Sequence, residues 1–449
     1  MSVMKKGHHG QWSSRMGFVL AAVGSAVGLG NIWKFPYMVG QSGGAAFVAV
    51  YLVCIALIGL PIIVAEWLIG RRAQENPINA MADLARSNGR SKAWVMVGVS
   101  GTLAGFLILS FYSVIGGWAL SYLIDAGSGS FNGMGKETAD AAFSNMLADP
   151  GTLLTWHTVF MGLTVGVVAM GVAGGLERAS RILMPTLGIL LALMVGYGAA
   201  SDGFAQALAY LFAPDFAKLT GAVLLAALGH AFFTLSLGMG IMIAYGSYLG
   251  QQVDLLRAAR TVAIMDTVIA LAAGLAIFPI VFANGLDPAA GPGLVFVTLP
   301  LVFGKVTGGL LLGVMFFALL TFAALTSAIS LLEPSVELLE ERTPLSRIGA
   351  TLVAGVATWA LGIAALLSFN LWSDVLIFGN NIFDLLDKMT SKFLLPLTAL
   401  GAIVFVGWCL KAESVREELG LSSGGFVLWN LITRFVAPIG VLVVFISSL

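Results

Sequence analysis

Apolar runs of about 20 residues recur along the whole 449-residue chain, separated by short polar stretches. A helix needs roughly that many mostly apolar residues to cross the hydrocarbon layer of a bilayer. Eleven such runs stand at about 15–41, 45–70, 93–124, 153–173, 178–200, 219–249, 255–283, 308–339, 347–368, 375–409 and 426–447. They predict an all-α, polytopic membrane protein with 11 transmembrane helices. The tenth is the most interrupted, by Asp384, Asp387, Lys388 and Lys392. Residues through Ser14 are polar, and the run from Met16 lacks the short apolar region and small-residue cleavage site of a signal peptide. It is therefore expected to stay as the first span.

Basic residues orient these spans. With the N-terminus placed inside, 16 Lys and Arg fall on the cytoplasmic side, including Arg71, Arg72, Arg86, Arg90, Arg178 and Arg181. Only Lys136, Lys218 and Lys305 fall outside. An odd number of spans then leaves the C-terminus outside. Two outer stretches stand out. Residues 125–152 are rich in Gly, Ser and Asp, and residues 284–307 carry Pro288, Pro292 and Pro300 around apolar runs, as a folded hairpin would. Each is either a lid or a plain connector.

Composition sharpens the membrane reading. Hydrophobic residues make up 58% and charged residues 10%, whereas a soluble domain carries about 25% charged residues. Lys plus Arg equals Asp plus Glu, 23 each, so net charge favours neither an acidic nor a basic partner. No basic, aromatic-interleaved patch points to nucleic acid. Cys54 and Cys409 lie in apolar runs and read as small buried hydrophobes.

Segments one and six differ from the rest. Segment one contains Gly24-Ser25-Ala26-Val27-Gly28-Leu29-Gly30-Asn31, and segment six contains Phe233-Thr234-Leu235-Ser236-Leu237-Gly238-Met239-Gly240. A glycine costs about 1 kcal/mol relative to alanine inside a helix. Unpaired backbone at membrane depth is tolerated only where it lines a site. Close packing through small residues is the alternative for a single such segment. Two of them, five spans apart, fit an inverted repeat whose interrupted helices form a transporter's binding site. Half-helix N-termini offer N–H groups to an anion, and unwound carbonyls offer oxygen to a cation.

The runs Gly24–Pro36 (GSAVGLGNIWKFP), Phe232–Gly240 (FFTLSLGMG) and Ala323–Ser327 (AALTS) resemble the neurotransmitter:sodium symporter family, its bacterial amino acid transporters in particular. The match spans at least segments one to ten, and the family's usual twelfth segment is expected to be absent, as in some bacterial members. The resemblance implies a 5+5 inverted repeat with discontinuous helices 1 and 6 plus one extra C-terminal helix. The chain then divides into a cytoplasmic N-terminal segment (1–14), a first repeat (15–200), a second repeat (201–410), a cytoplasmic loop (411–425) and helix 11 (426–449). The implied setting is a bacterial inner (plasma) membrane.

The resemblance also implies two Na+ sites beside one substrate site. The first takes Ala26, Asn31, Thr234 and Asp266. The second takes Gly24, Val27 and Ala323 through carbonyls, and Thr326 and Ser327 through hydroxyls. All are oxygen ligands, and no His/Cys cluster suits a transition metal. Asp266 lies in an otherwise apolar stretch, where an ionisable residue is expensive and by default functional. A helix-packing hydrogen bond is its plainer role. Animal members place a neutral residue there and balance charge with chloride, so the carboxylate implies independence from chloride.

The substrate carboxylate is expected on the N–H groups of Leu29 and Gly30, assisted by Tyr112, and the amino group on carbonyls around Phe233, Thr234 and Ser236. Amine-transporting relatives carry an aspartate where this chain has Gly28, so a substrate bringing its own carboxylate, an L-amino acid, is favoured. Ile108, Phe233, Ser236, Met239 and Leu331 line the side-chain pocket. Met239 is an adaptable thioether, or else plain packing. The expected substrate is a bulky hydrophobic or aromatic amino acid.

Tyr112 and Phe233 should form a lid. Above it, Lys34 and Asp387 match the family's outer charge pair, with Asp384 as another partner and snorkelling surface charges as the alternative. On the inner side, Trp12, Arg15 and Glu341 match parts of a cytoplasmic gate. The family's N-terminal arginine falls at His9, next to Lys5 and Lys6. Glu66 should accept from backbone freed in segment six. Gly175 and Pro185 in segment five mark either a cytoplasmic half that unwinds or a static kink.

Two sodium ions crossing 100 mV release roughly 2.3 kcal/mol each, and a tenfold gradient adds about 1.4 kcal/mol per ion. Secondary active import by alternating access fits. No nucleotide motif or HExxH supports an enzyme. A sodium-dependent amino acid sensor without turnover, or a proton-driven symporter using Asp266, has the same residues. The oligomeric state is not legible.

Overall fold

The computed structural model describes residues 10–213, 215–288 and 293–448. Among them the chain is helical, with one isolated bridge between Ile377 and Asn380 outside the helices. Nine helices are long and apolar enough to cross a membrane, or ten if the bent pair Arg15–Ala26 and Gly30–Gln41 is one span. That pair is segment one, broken by 47°. The expected segment six is also two pieces, Gly221–Thr234 and Ile241–Ser247. Neither piece alone is long enough to span, so the expected count of eleven rests on taking the two together.

Sequence accounts for most boundaries. Ser14 caps segment one by accepting from Gly17 N at 2.9 Å. Segment ten begins at Ile382 rather than 375, because Asn381 caps the helix by accepting from Asp384 N at 2.8 Å and residues 369–381 form turns. The outer loop 125–152 is more structured than expected. Segment three runs on to Ser128, and Lys136–Ala148 is a helix of its own. The expected hairpin at 284–307 contains the buried helical stretch Leu294–Phe303, and its Pro292 lies outside the described residues.

Segments three (Lys92–Ser128) and eight (Gly309–Arg342) pack along each other over most of their length, and the two broken helices lie against them. Aliphatic side chains such as Leu103, Ile189, Val268, Leu311, Val356 and Ile439 face outward, exposed. Polar side chains such as Asn31, Glu66, Thr234, Asp266 and Ser327 are buried inward. This inversion of a soluble surface suits a lipid environment. Cys54 and Cys409 are free and buried.

Candidate substrate and cation site

Segment one leaves the helix at Val27 and resumes at Gly30. Backbone groups freed there are taken by side chains. Gly28 N donates to Asn31 Oδ1 at 3.2 Å, and Leu29 N donates to the Tyr112 hydroxyl at 3.2 Å. Segment six loses its helix after Thr234 and regains it at Ile241. Here the chain uses positive φ at Ser236 (53°), Gly238 (73°) and Gly240 (73°). A non-glycine residue in that region is sparsely populated and costs about 1–3 kcal/mol unless its surroundings enforce it. For Ser236, the hydroxyl donates to Ser25 O at 2.8 Å. Gly238 N donates to Glu66 Oε1 at 2.9 Å, the contact expected of Glu66.

Between the breaks lies a small cavity. Of the ten residues expected to hold substrate, Gly28, Leu29, Gly30, Ile108 and Tyr112 line it, and so do Phe233, Ser236, Met239 and Leu331. Thr234 is buried and is not part of the lining. Ser25, Ala26 and Ser327 complete the lining, and of these Ser25 was not anticipated. A side chain at Gly28 would meet Ser327 Oγ at 2.4 Å and the Tyr112 hydroxyl at 2.9 Å, so glycine is what keeps the pocket open there. Leu29, Tyr112 and Phe233 also line an outer cavity, so they separate the central pocket from the outside.

Three of the four residues expected around the first cation converge. Asp266, 0% exposed, accepts from Asn31 Nδ2 at 2.7 Å and from the Thr234 hydroxyl at 3.0 Å. Tyr51, which the sequence reading passed over as part of an apolar run, donates to the other carboxylate oxygen at 3.1 Å. Ala26 lines the central cavity. At the second expected cation site, Ser327 Oγ lies 3.5 Å from Gly24 O and 3.2 Å from Ser25 O. The Thr326 hydroxyl donates to Ala323 O at 3.0 Å. Val27 is fully buried at the break that faces them. These groups are neutral oxygens apart from Asp266, a donor set that suits a hard monovalent cation. Among the described residues no cluster of His, Cys, Asp or Glu could hold a transition metal.

The gates differ in detail from expectation. Lys34 and Asp387 both line the outer cavity, yet no ion pair joins them. Lys34 Nζ instead stands 4.3 Å from the centroid of the Phe233 ring. Asp384 is engaged by Asn381 at its helix start. On the inner side, Trp12 Nε1 donates to Tyr245 O at 3.2 Å, with its ring against Phe18, Tyr245 and Tyr248. Glu341 accepts from Asn76 and Asn79, whereas Arg15 is exposed. Lys5, Lys6 and His9 lie outside the described residues.

Two inner contacts were missed. Glu177, two residues after Gly175, accepts from Ser13 N at 2.8 Å and from Arg181 at 2.5 Å. Arg347 pairs with Glu333 at 2.5 Å, and Tyr248 donates to the same carboxylate at 2.6 Å. Ser13 and Glu177 are 164 positions apart and Tyr248 and Glu333 are 85 apart, and neither pair lies in a motif. Gly175 falls in a π-helical turn, Val172–Glu177, and any side chain there would strike Val167 O.

Comparison with known proteins fits this geometry. The model of the sodium:neurotransmitter symporter family matches residues 9–132 and 137–449. The chain belongs to this family. A relative from Bacillus subtilis, the uncharacterized sodium-dependent transporter YhdH, is 40% identical over 97% of each chain. An uncharacterized sodium-dependent transporter of Haemophilus influenzae is 38% identical over 98% of each. The crystal structure of MhsT in complex with L-phenylalanine shares the fold with a TM-score of 0.91 at 47% identity, covering 98% of this chain and 100% of that one. As a member of the sodium:neurotransmitter symporter family, the chain is a multi-pass membrane transporter with broken helices at its centre.

Proposed function

We propose that the protein imports bulky hydrophobic or aromatic L-amino acids together with sodium, by alternating access and without chloride. What carries this reading is the central cavity: residues from segments one, three, six and eight line it, and it combines the backbone of a broken helix, held by exchangeable side-chain contacts, with an apolar wall. In this reading the carboxylate of the substrate lies on the Leu29 and Gly30 N–H groups and displaces the Tyr112 hydroxyl from Leu29. The positive end of the resumed helix favours that charge. Its amino group lies on the freed carbonyls near Phe233, Thr234 and Ser236. Its side chain lies among Ile108, Met239 and Leu331. The bound ligand of MhsT, L-phenylalanine, agrees with this pocket.

Sodium would be held as co-substrate at two places, one by Ala26, Asn31, Thr234 and Asp266, the other by Gly24, Val27, Ala323, Thr326 and Ser327. Asp266 supplies a fixed negative charge at the first, which removes the need for a chloride. Eleven spans place the N-terminus in the cytoplasm and the C-terminus outside, in the inner membrane of a bacterium. Repeats at 15–200 and 201–410 are followed by a cytoplasmic loop at 411–425 and helix 11 at 426–449. Tyr112, Phe233, Lys34 and Asp387 close the outer side, and Trp12, Arg15 and Glu341 close the inner side.

The test is accumulation of labelled amino acid by proteoliposomes under an inward sodium gradient, with the twenty amino acids as competitors. Uptake above equilibrium, displaced best by large apolar amino acids and unchanged when gluconate replaces chloride, is expected. Binding without accumulation would make the chain a sensor, and a strict chloride requirement would end the proposed role of Asp266.

A further inference from the structure

A second cavity opens beside the outer end of segment three and is separate from the central site. Ser121, Tyr122 and Asp125 line it from segment three, Trp156 from segment four, and Phe131 and Phe296 from the outer loops. Two polar groups there are unspent. The Asp125 carbonyl is taken by Ser128 and Ser130, but its carboxylate makes no hydrogen bond or ion pair among the described residues. Tyr122 is only 4% exposed, and its hydroxyl likewise has no partner. Tyr122 and Asp125 are three apart on one helix, so they share a face. Among the described residues, no Lys or Arg lines the cavity.

A lone carboxylate, a free phenol oxygen and aromatic walls form a receptor for a cation with an apolar body. An anion finds no positive group, and a neutral apolar molecule leaves both polar groups desolvated and unpaired. We propose that this cavity binds lipophilic primary or secondary ammonium compounds, with N–H groups donated to Asp125 and to the Tyr122 oxygen. The apolar body then lies against Phe131, Trp156 and Phe296.

Occupancy reaches the transport path through one ring. Phe296, on the helical stretch Leu294–Phe303, packs on Tyr122 at 5.3 Å and on Trp33 at 6.1 Å between centroids. Trp33 lines the outer cavity above the central pocket. A ligand fastened between segment three and this stretch holds Phe296 against Trp33 and slows reopening. Transport then falls without competition at the substrate site, a consequence that rests on the transport reading above.

The test uses the full-length protein in lipid nanodiscs and 3-phenylpropylammonium as probe, followed by calorimetry with and without saturating sodium and L-phenylalanine. One binding event is expected, not displaced by L-phenylalanine, weakened about tenfold or more by Asp125→Asn and about threefold by Tyr122→Phe. The neutral 3-phenylpropanol should not bind. Should Asp125→Asn fail to fold, Tyr122→Phe and the alcohol still decide. No heat at millimolar probe, equal affinity for the variants, or displacement by L-phenylalanine would overturn the site. A protein that binds the probe with these dependences but accumulates no amino acid supports the site while removing the transport reading.

Discussion

The two helix breaks solve the same problem with different partners. In segment one, the freed N–H groups of Gly28 and Leu29 go to Asn31 and Tyr112, side chains that belong to the site itself. In segment six, Gly238 N goes to Glu66, a residue of segment two outside the cavity lining. The second break is also pressed against neighbouring backbone. A side chain at Gly238 would meet Leu395 O at 2.3 Å, and one at Gly240 would meet Gly101 C at 3.1 Å. Contacts of the first break can be exchanged for ligand groups, whereas those of the second cannot. The first therefore serves recognition and the second holds the geometry against which recognition occurs. Damage to the second should appear as instability, and damage to the first as lost affinity.

The largest effect is expected at Gly238. Gly238→Ala adds a methyl group against Leu395 O in a backbone region that disfavours L residues by about 1–2 kcal/mol. With the clash, a loss of about 3 kcal/mol or more is expected, read as a lower Tm in detergent or failure to accumulate. An unchanged Tm would show that the second break is no more rigid than the first.

Asp266 joins the two breaks, since Asn31 lies just beyond one and Thr234 just before the other. Asp266→Asn keeps the shape and removes the charge. Hydrogen bonds and ligation by a charged group are worth about 1.5–3 kcal/mol, so sodium half-saturation should rise by roughly ten- to a hundredfold. Sodium-dependent binding of labelled substrate measures this. An unchanged sodium dependence would reduce Asp266 to packing. Glu66→Ala comes next. It leaves the Gly238 N–H unpaired in a dry interior at a cost of about 1–3 kcal/mol. Glu66→Gln still offers an oxygen, so its Tm should recover most of the loss. Tyr112→Phe tests the first break from the other side. It should leave Tm within a degree or two while weakening substrate binding by about 1 kcal/mol, or roughly fivefold.

The membrane class and both breaks were legible because they depend on local composition: apolar runs of spanning length, and glycines where a helix should not have them. Most of the cavity lining was legible for a different reason, since the motifs around Gly28, Phe233 and Thr326 resemble a known family. What escaped were contacts between distant helices with no local signature. Tyr51 looks like any aromatic residue in segment two until the fold brings Asp266 to its hydroxyl. Glu177 and Ser13 are 164 positions apart, and nothing in either neighbourhood announces the other. The start of segment ten was misplaced because residues 369–378 are apolar enough to continue a helix, while the Asn381 cap decides where it begins.

The smallest effect concerns Lys34, at the outer end of the first break. Its ammonium sits over Phe233, the ring that roofs the central cavity from the second break. A partly exposed cation–π contact is worth about 0.5–1 kcal/mol. Lys34→Met keeps the apolar stem and removes the charge, so substrate affinity should fall about two- to fivefold. If Lys34 acts through Phe233, the loss should vanish in a Phe233→Leu background, because the double-mutant cycle then has no ring left to couple. If Lys34 acts through Asp387, then Asp387→Asn should reproduce the loss and the Phe233 background should leave it intact. In the first outcome the exchangeable break positions the roof of the fixed one. In the second the two breaks meet only through the ligand.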